Sequence, residues 1–230
     1  MKTIGLIGGM SWESSLEYYR IINEQVKEKL GGLHSAKSLM YSLNFAEIEK
    51  LQHQGKWDKL TSVMIKAAQN LEKGGADFVL ICTNTMHKMA DDVQDNINIP
   101  LLHLVDTTAD KIKQNRLRKV GLLGTNFTME EDFYKGRLMN KYGLDVIIPN
   151  ENDRHIIHQV IYQELCLGNI KKSSKDQYIE IINKLIESGA EAVILGCTEI
   201  PLLIQQEDVK VPLYDTTTIH AEAAVEYSLK

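Results

Sequence analysis

The sequence predicts an α/β protein made of two pseudo-symmetric lobes, each carrying a mostly parallel sheet. Three observations point there. First, the chain repeats itself. GADFVLICTNT at Gly75–Thr85 lies without gaps over GAEAVILGCTE at Gly189–Glu199, so that Thr83 falls on Cys197. Second, other pieces recur in the same order. Ile4-Gly5-Leu6-Ile7-Gly8 resembles Val120-Gly121-Leu122-Leu123-Gly124, and Pro100 with Asp106-Thr107-Thr108 has a looser partner in Pro212 with Asp215-Thr216-Thr217. The period is too long for a solenoid, so the repeat is a duplicated small domain. Third, short continuous apolar runs alternate with amphipathic stretches. That is the pattern of parallel strands covered by helices on both faces.

The elements follow in order. Thr3 to Ile7 is a strand ending at Gly8-Gly9, and Glu13 to Leu30 a helix stopped by Gly31-Gly32. Lys37 to Leu43 is a strand. Phe45 to Leu51 and Trp57 to Lys73 are helices, the second closed by Gly74-Gly75. Phe78 to Cys82 is a buried strand, Met86 to Gln94 a helix and Leu101 to Leu104 a strand. Thr108 to Lys113 begins the link into the second half. There Val120 to Leu123 is a strand, Glu130 to Tyr142 a helix, and Asp145 to Ile148 a strand before Pro149. Arg154 to Leu167 and Lys175 to Ser188 are helices. Ala192 to Leu195 is a strand, a helix lies near Pro201 to Gln206, and Thr217 to Leu229 closes the chain as a helix. The expected lobes are 1–98, completed by 211–230, and 99–210.

Composition narrows the function. The 230 residues carry 43% hydrophobic side chains and a net charge of −5, ordinary for a globular protein and contrary to a broad nucleic-acid surface. The basic clusters Lys171, Lys172, Lys175 and Arg116, Arg118, Lys119 read as solvated surface. No apolar run approaches the length of a membrane span, and MKTIGLIGG enters a strand directly instead of a signal peptide. A cytoplasmic location is expected, with Cys82, Cys166 and Cys197 as free thiols.

In open parallel sheets, ligands bind beyond the carboxyl ends of the strands. The segments there are Gly8 to Ser11, Thr83 to Thr85, Thr125 to Thr128 and Cys197 to Glu199. They are rich in small polar residues at strand-to-helix turns, where unpaired backbone N–H groups favour carboxylates. Thr128, with Glu131 three residues on, has capping-box spacing. Thr198, Asn84 and Thr85 are further candidate caps. Cys197 directly follows a buried strand at the start of a helix. That placement is expected to pull the thiol pKa down from about 8.5 towards neutrality. Cys82 and Cys166 read as packing. Gly5-Leu6-Ile7-Gly8-Gly9 has the wrong spacing for a dinucleotide fingerprint, and no phosphate loop is present. His155 and His158 share a helix face without a third ligand, so no metal is expected.

The segments CTNTMH at 82–87, LGCTEIP at 195–201, IGLIGGMSWES at 4–14 and LGTNFTM at 123–129 resemble the aspartate/glutamate racemase family over essentially the whole chain. The resemblance implies two Rossmann-like lobes with the active site in the cleft between them, a homodimer, and racemisation of aspartate or glutamate without a cofactor. In that pattern one cysteine per lobe faces each side of the substrate α-carbon. The second-lobe cysteine, which takes the proton from the L enantiomer, falls on Cys197; the first falls on Thr83. An alcohol is too weak an acid to serve as a base, so the expectation is an L-preferring enzyme. Cys197 abstracts the proton and Thr83, or a water it holds, returns one. By position, Met10 and Ser11 touch the substrate. Asn84, Thr85, Thr198 and Glu199 bond its carboxylates and ammonium, with Glu199 at the ammonium. Thr125 and Thr128 meet the α-carboxylate, and Gln52 meets the side-chain carboxylate. Two other readings remain: a single-cysteine enzyme of the same superfamily, either a decarboxylase of malonate-type acids or a cis–trans isomerase, and a non-catalytic acidic amino-acid binder.

Overall fold

The structure, a computed structural model, describes residues 1–230. It divides into two compact units, Met1–Leu104 with His220–Lys230, and Val105–Ile219.

In unit 1, strand β1 (Ile4–Gly8) is followed by helix α1 (Trp12–Leu30), β2 (Ser38–Ser42), α2 (Phe45–His53), α3 (Trp57–Lys73) and β3 (Phe78–Ile81). A 3₁₀ turn at Thr85–Met89 leads into the short α4 (Ala90–Asp95). The sheet is parallel, in the order β2-β1-β3. Helix α1 starts where the Ser11 hydroxyl accepts the N–H of Ser14, and its apolar stripe Tyr18, Ile21, Ile22, Val26 recurs at helical spacing. That stripe packs with Ile4, Leu6, Phe78 and Leu80 on one sheet face. The other face packs Ile7, Val79 and Ile81 against Leu60, Met64, Ala67, Ala68 and Leu71 of α3.

The chain leaves unit 1 at the first residue of α5 (Leu104–Gln114) and returns within the last helix. Unit 2 contains β4 (Lys119–Gly124), α6 (Asn126–Glu130), α7 (Lys135–Tyr142), β5 (Asp145–Ile147), α8 (Glu151–Gln163), α9 (Lys172–Glu187), β6 (Ala192–Gly196), α10 (Ile200–Leu203), β7 (Leu213–Asp215) and the start of α11 (Thr216–Leu229). Its sheet is also parallel, in the order β5-β4-β6-β7.

The duplication read from the sequence extends to single hydrogen bonds. Ile4 pairs with Phe78 in one sheet and Val120 with Ala192 in the other, so both strand pairs share one register. The Val79 N–H bonds the Pro100 carbonyl at 2.9 Å, and the Val193 N–H bonds the Pro212 carbonyl at 3.0 Å. Before each of these strands a glycine holds φ +94, at Gly75 and at Gly189. Only a residue without a side chain adopts that angle cheaply. The start of each strand is clipped the same way. Asp77 accepts from the Thr3 N–H at 2.5 Å, and Glu191 accepts from the N–H groups of Arg118 and Lys119 at 2.7 and 2.8 Å.

Several elements differ from the sequence reading. Met86 to Gln94, expected as one helix, is a 3₁₀ turn followed by the short α4, and Thr108 to Lys113, read as a link, lies within α5. Leu101 to Leu104 is no strand: Leu101 makes one isolated parallel bridge to Val79, and Leu104 already opens α5. The helix expected at Glu130 to Tyr142 is two helices, because Glu131 is extended at φ −85, ψ 152. The helix expected from Arg154 begins earlier, where the Asn150 side chain caps the N–H of Asp153, and stops at Gln163 before a 3₁₀ turn. The three-residue strand β7 carried too short an apolar run to read.

Candidate active site

Cys197 follows β6 directly. Its Sγ donates to Oε2 of Glu199 at 2.9 Å, and the same carboxylate oxygen accepts from Oγ1 of Thr198 at 2.8 Å. Cys197 and Glu199 are buried and Thr198 is half-buried. This geometry overturns the expected thiol acidity. Burial, and next the carboxylate charge of Glu199, push the Cys197 thiol well above its ordinary pKa. The helix beyond it spans only Ile200–Leu203, too short a dipole to offset that. The resting group is a thiol hydrogen-bonded to a carboxylate.

After β4, Thr125 caps α6: its Oγ1 accepts the N–H of Thr128 at 3.3 Å and lies 3.2 Å from the Thr128 hydroxyl. The cap is therefore Thr125, and Thr128 sits inside the helix, contrary to the capping-box reading. The helix was expected to begin only at Glu130, which placed the cap three residues late. Neither Thr198 nor Asn84 caps a helix through its side chain, and Thr85 lies within the 3₁₀ turn. The amide N–H of Asn126 bonds Nδ1 of His158 at 3.2 Å, so this histidine is used in the fold. No group of three or more His, Cys, Asp or Glu side chains is placed to hold a metal.

In unit 1, Thr83 follows β3 in the position that Cys197 holds after β6. It is half-buried, whereas Asn84 and Thr85 beside it are buried. Cys82 lies wholly in the apolar core with Ile4, Leu6 and Phe78, and burial alone raises its pKa. Ser11 caps α1 and Met10 packs among Ile7 and Ile48. Gln52 is buried on α2 and donates through Nε2 to the Met86 sulfur at 3.1 Å, which holds it against the turn after β3. Each candidate site residue thus lies after a strand carboxyl end of its own unit, or, for Gln52, against the turn there.

The profile of the Asp/Glu/hydantoin racemase family matches residues 7–224. The chain belongs to this family.

Within the racemase family, a crystal structure of a candidate Asp/Glu racemase from Yersinia pestis is 52% identical, with TM-score 0.94 and full coverage of both chains. An aspartate racemase homologue from Pyrococcus horikoshii is 39% identical at TM-score 0.87, again with full coverage. The broad-specificity amino-acid racemase RacX of Bacillus subtilis is 24% identical over 175 residues, 73% of this chain and 72% of its own. The two-sheet parallel α/β architecture is the racemase-family fold.

Three polar groups of this racemase-family chain escaped the sequence reading. Asn126 Oδ1 and Thr217 Oγ1 are buried without a hydrogen-bond partner, just after β4 and β7. His87, in the quoted CTNTMH segment, bonds the carbonyl of Thr83 itself. A threonine or asparagine in the first turn of a helix carries no sequence mark of whether the fold leaves its oxygen unbonded.

Proposed function

We propose that this protein racemises aspartate or glutamate without a cofactor, acting preferentially on the L enantiomer. The observation that carries the reading is a chemical break within a shared strand register: Cys197 after β6, Thr83 at the matching position after β3. Family membership supplies the reaction class. The Cys197 proton passes to the Glu199 carboxylate 2.9 Å away, and the thiolate so formed takes the substrate α-proton. Glu199 thereby adds proton acceptance to the ammonium contact read from the sequence. The planar carbanion is held by hydrogen bonds to the substrate carboxylates from Thr125, Thr128, Asn84, Thr85, Thr198 and Ser11, with Met10 and Gln52 shaping the remainder. A water bonded to Thr83, or the Thr83 hydroxyl as it takes a proton from that water, delivers a proton to the other face; the water is replenished from solvent and Glu199 returns the thiol proton to solvent. Thr83 cannot act as a base at neutral pH, so D enantiomers turn over poorly.

The homodimer and the cytoplasmic setting belong to the same reading. The three free cysteines agree with a reducing compartment, and no helix is long and apolar enough to cross a membrane.

The test is α-proton exchange in heavy water, with circular dichroism to follow inversion, on both enantiomers of aspartate and glutamate. Wild type should exchange and invert L substrates, and Cys197→Ala should lose both activities by at least about a hundredfold. Thr83→Cys should gain activity on D substrates. Equal initial rates from L and D in the wild type, with Cys197→Ala still active, would refute the directional mechanism. Binding of acidic amino acids with no α-exchange would leave the binder reading.

A further inference from the structure

His87 is buried in the turn after β3 and both its ring nitrogens are engaged. Nδ1 lies 2.8 Å from the Thr83 carbonyl, which can only accept, so Nδ1 carries the proton. Nε2 lies 3.2 Å from the backbone N–H of Leu104, which can only donate, so Nε2 is the acceptor. The two bonds together fix the ring as one neutral tautomer. Leu104 is the first residue of α5, where backbone N–H groups lack helical acceptors, so His87 also satisfies one of these. A second imidazole extends the arrangement. His220 donates from Nε2 to the Leu102 carbonyl at 2.8 Å and accepts at Nδ1 from the Tyr18 hydroxyl at 2.8 Å. The rings of His87 and His220 meet edge-on at 5.8 Å, and His103 tilts against His87 at 4.8 Å. Residues 102–104 and the turn bearing Thr83 are thus tied into one hydrogen-bonded block, with His87 as the bond between them.

We propose that His87 is a positioning residue for proton return, holding the Thr83 backbone so that its hydroxyl meets the carbanion at the correct face. The proposal rests on the reading of Thr83 as the group that returns the proton. It assigns His87 no proton transfer of its own. Its predicted signature is a split between two halves of the reaction. Exchange of the α-hydrogen into L substrate depends on the Cys197 side, whereas inversion to D depends on Thr83 being in place. A misplacement of about 1 Å costs up to about a hundredfold in rate. Inversion should therefore fall while exchange persists.

The experiment compares deuterium incorporation into recovered L-aspartate and L-glutamate with formation of the D enantiomers, for wild type, His87→Ala, His87→Asn, His87→Gln and Thr83→Ala. His87→Ala should lower the inversion-to-exchange ratio by about tenfold or more. His87→Asn, whose amide can still reach the Thr83 carbonyl, should restore most of the ratio. His87→Gln, which reaches for the Leu104 amide instead, should not. Thermal unfolding of each variant separates folding loss from this effect, and the Asn variant keeps the test open if Ala folds poorly. Inversion and exchange falling in parallel in every His87 variant, while Thr83→Ala still separates them, would overturn the proposal and leave the Thr83 reading intact. An unchanged ratio in Thr83→Ala would overturn both.

Discussion

A thiol that donates to a carboxylate needs that carboxylate to take its proton before it can act as a base. In Cys197 the buried sulfur and the Glu199 charge both oppose ionisation. Glu199→Gln removes the charge and should lower the Cys197 pKa, seen as thiolate absorbance appearing at lower pH. The same variant should slow L-substrate exchange, because the proton acceptor is gone. Thr217 offers a quieter test. Its Oγ1 is buried and unbonded, so Thr217→Val should leave stability unchanged or slightly raised. If that hydroxyl serves substrate, KM rises in the variant; an unchanged KM places it outside the substrate contacts. At this scale the repeat set Thr83 over Cys197, and the structure keeps that correspondence. The sequence misjudged the thiol's acidity because the Glu199 carboxylate turns back onto Sγ, a rotamer no spacing reveals.

The helices show how far a repeat reaches once residue identity fades. Leu60, Met64, Ala67, Ala68 and Leu71 on α3 lie over Ser174, Tyr178, Ile181, Ile182 and Leu185 on α9 in the alignment that puts Gly75 over Gly189, and all ten are buried. Only the last pair is identical. The sequence therefore displayed the strands of the duplication, where both faces demand apolar residues, and hid the helices, where any side chain that fills the volume serves. Strand and long-helix positions were legible for that reason. The interruption at Glu131 and the isolated bridge at Leu101 were not, since each depends on tertiary bonds. Glycine marks the most exacting turn. Gly9 sits at φ +80 with its N–H donating to Ser15 Oγ at 2.7 Å, and a Cβ there would run into the Leu43 backbone. Gly9→Ala should cost at least about 3 kcal/mol in urea unfolding. A similar limit explains one divergence in the repeat: a Cβ on Gly196 would stand 2.7 Å from the Leu123 carbonyl, so unit 2 has no room for the counterpart of Cys82.

For the molecule as a whole, His220 sets a pH dependence of stability. Burial, and next the neighbouring His87, push it down from the ordinary 6.5 to about 3. Above pH 6.5 both folded and unfolded chains hold it neutral, so it makes no difference there. Between pH 6.5 and 3 the unfolded chain binds a proton that the folded one refuses. Its share of stability is then lost as pH falls, at up to about 1.4 kcal/mol per pH unit. Urea unfolding across that window should show the slope, and His220→Asn should flatten it. Association has its own candidate surface in unit 1. Trp12, Leu16 and Tyr19 are more than half exposed, at 64%, 52% and 51%, and with Met40 they line a hollow of about 450 Å³ beside β2, the edge of its sheet. For the homodimer proposed above, an apolar patch beside a sheet edge is the surface to test. Leu16→Glu with Tyr19→Glu should shift a dimer to monomer by light scattering, and an unaltered mass would place the interface elsewhere. The paired clips at Asp77 and Glu191 have a last consequence. They secure each central strand at its amino end, away from the residues proposed for chemistry. The bonds that fix the scaffold and the residues proposed for chemistry thus occupy opposite ends of the same few strands. A change of side chain at a strand's carboxyl end, such as threonine at position 83 against cysteine at position 197, therefore leaves the bonds that hold the strands at their amino ends untouched.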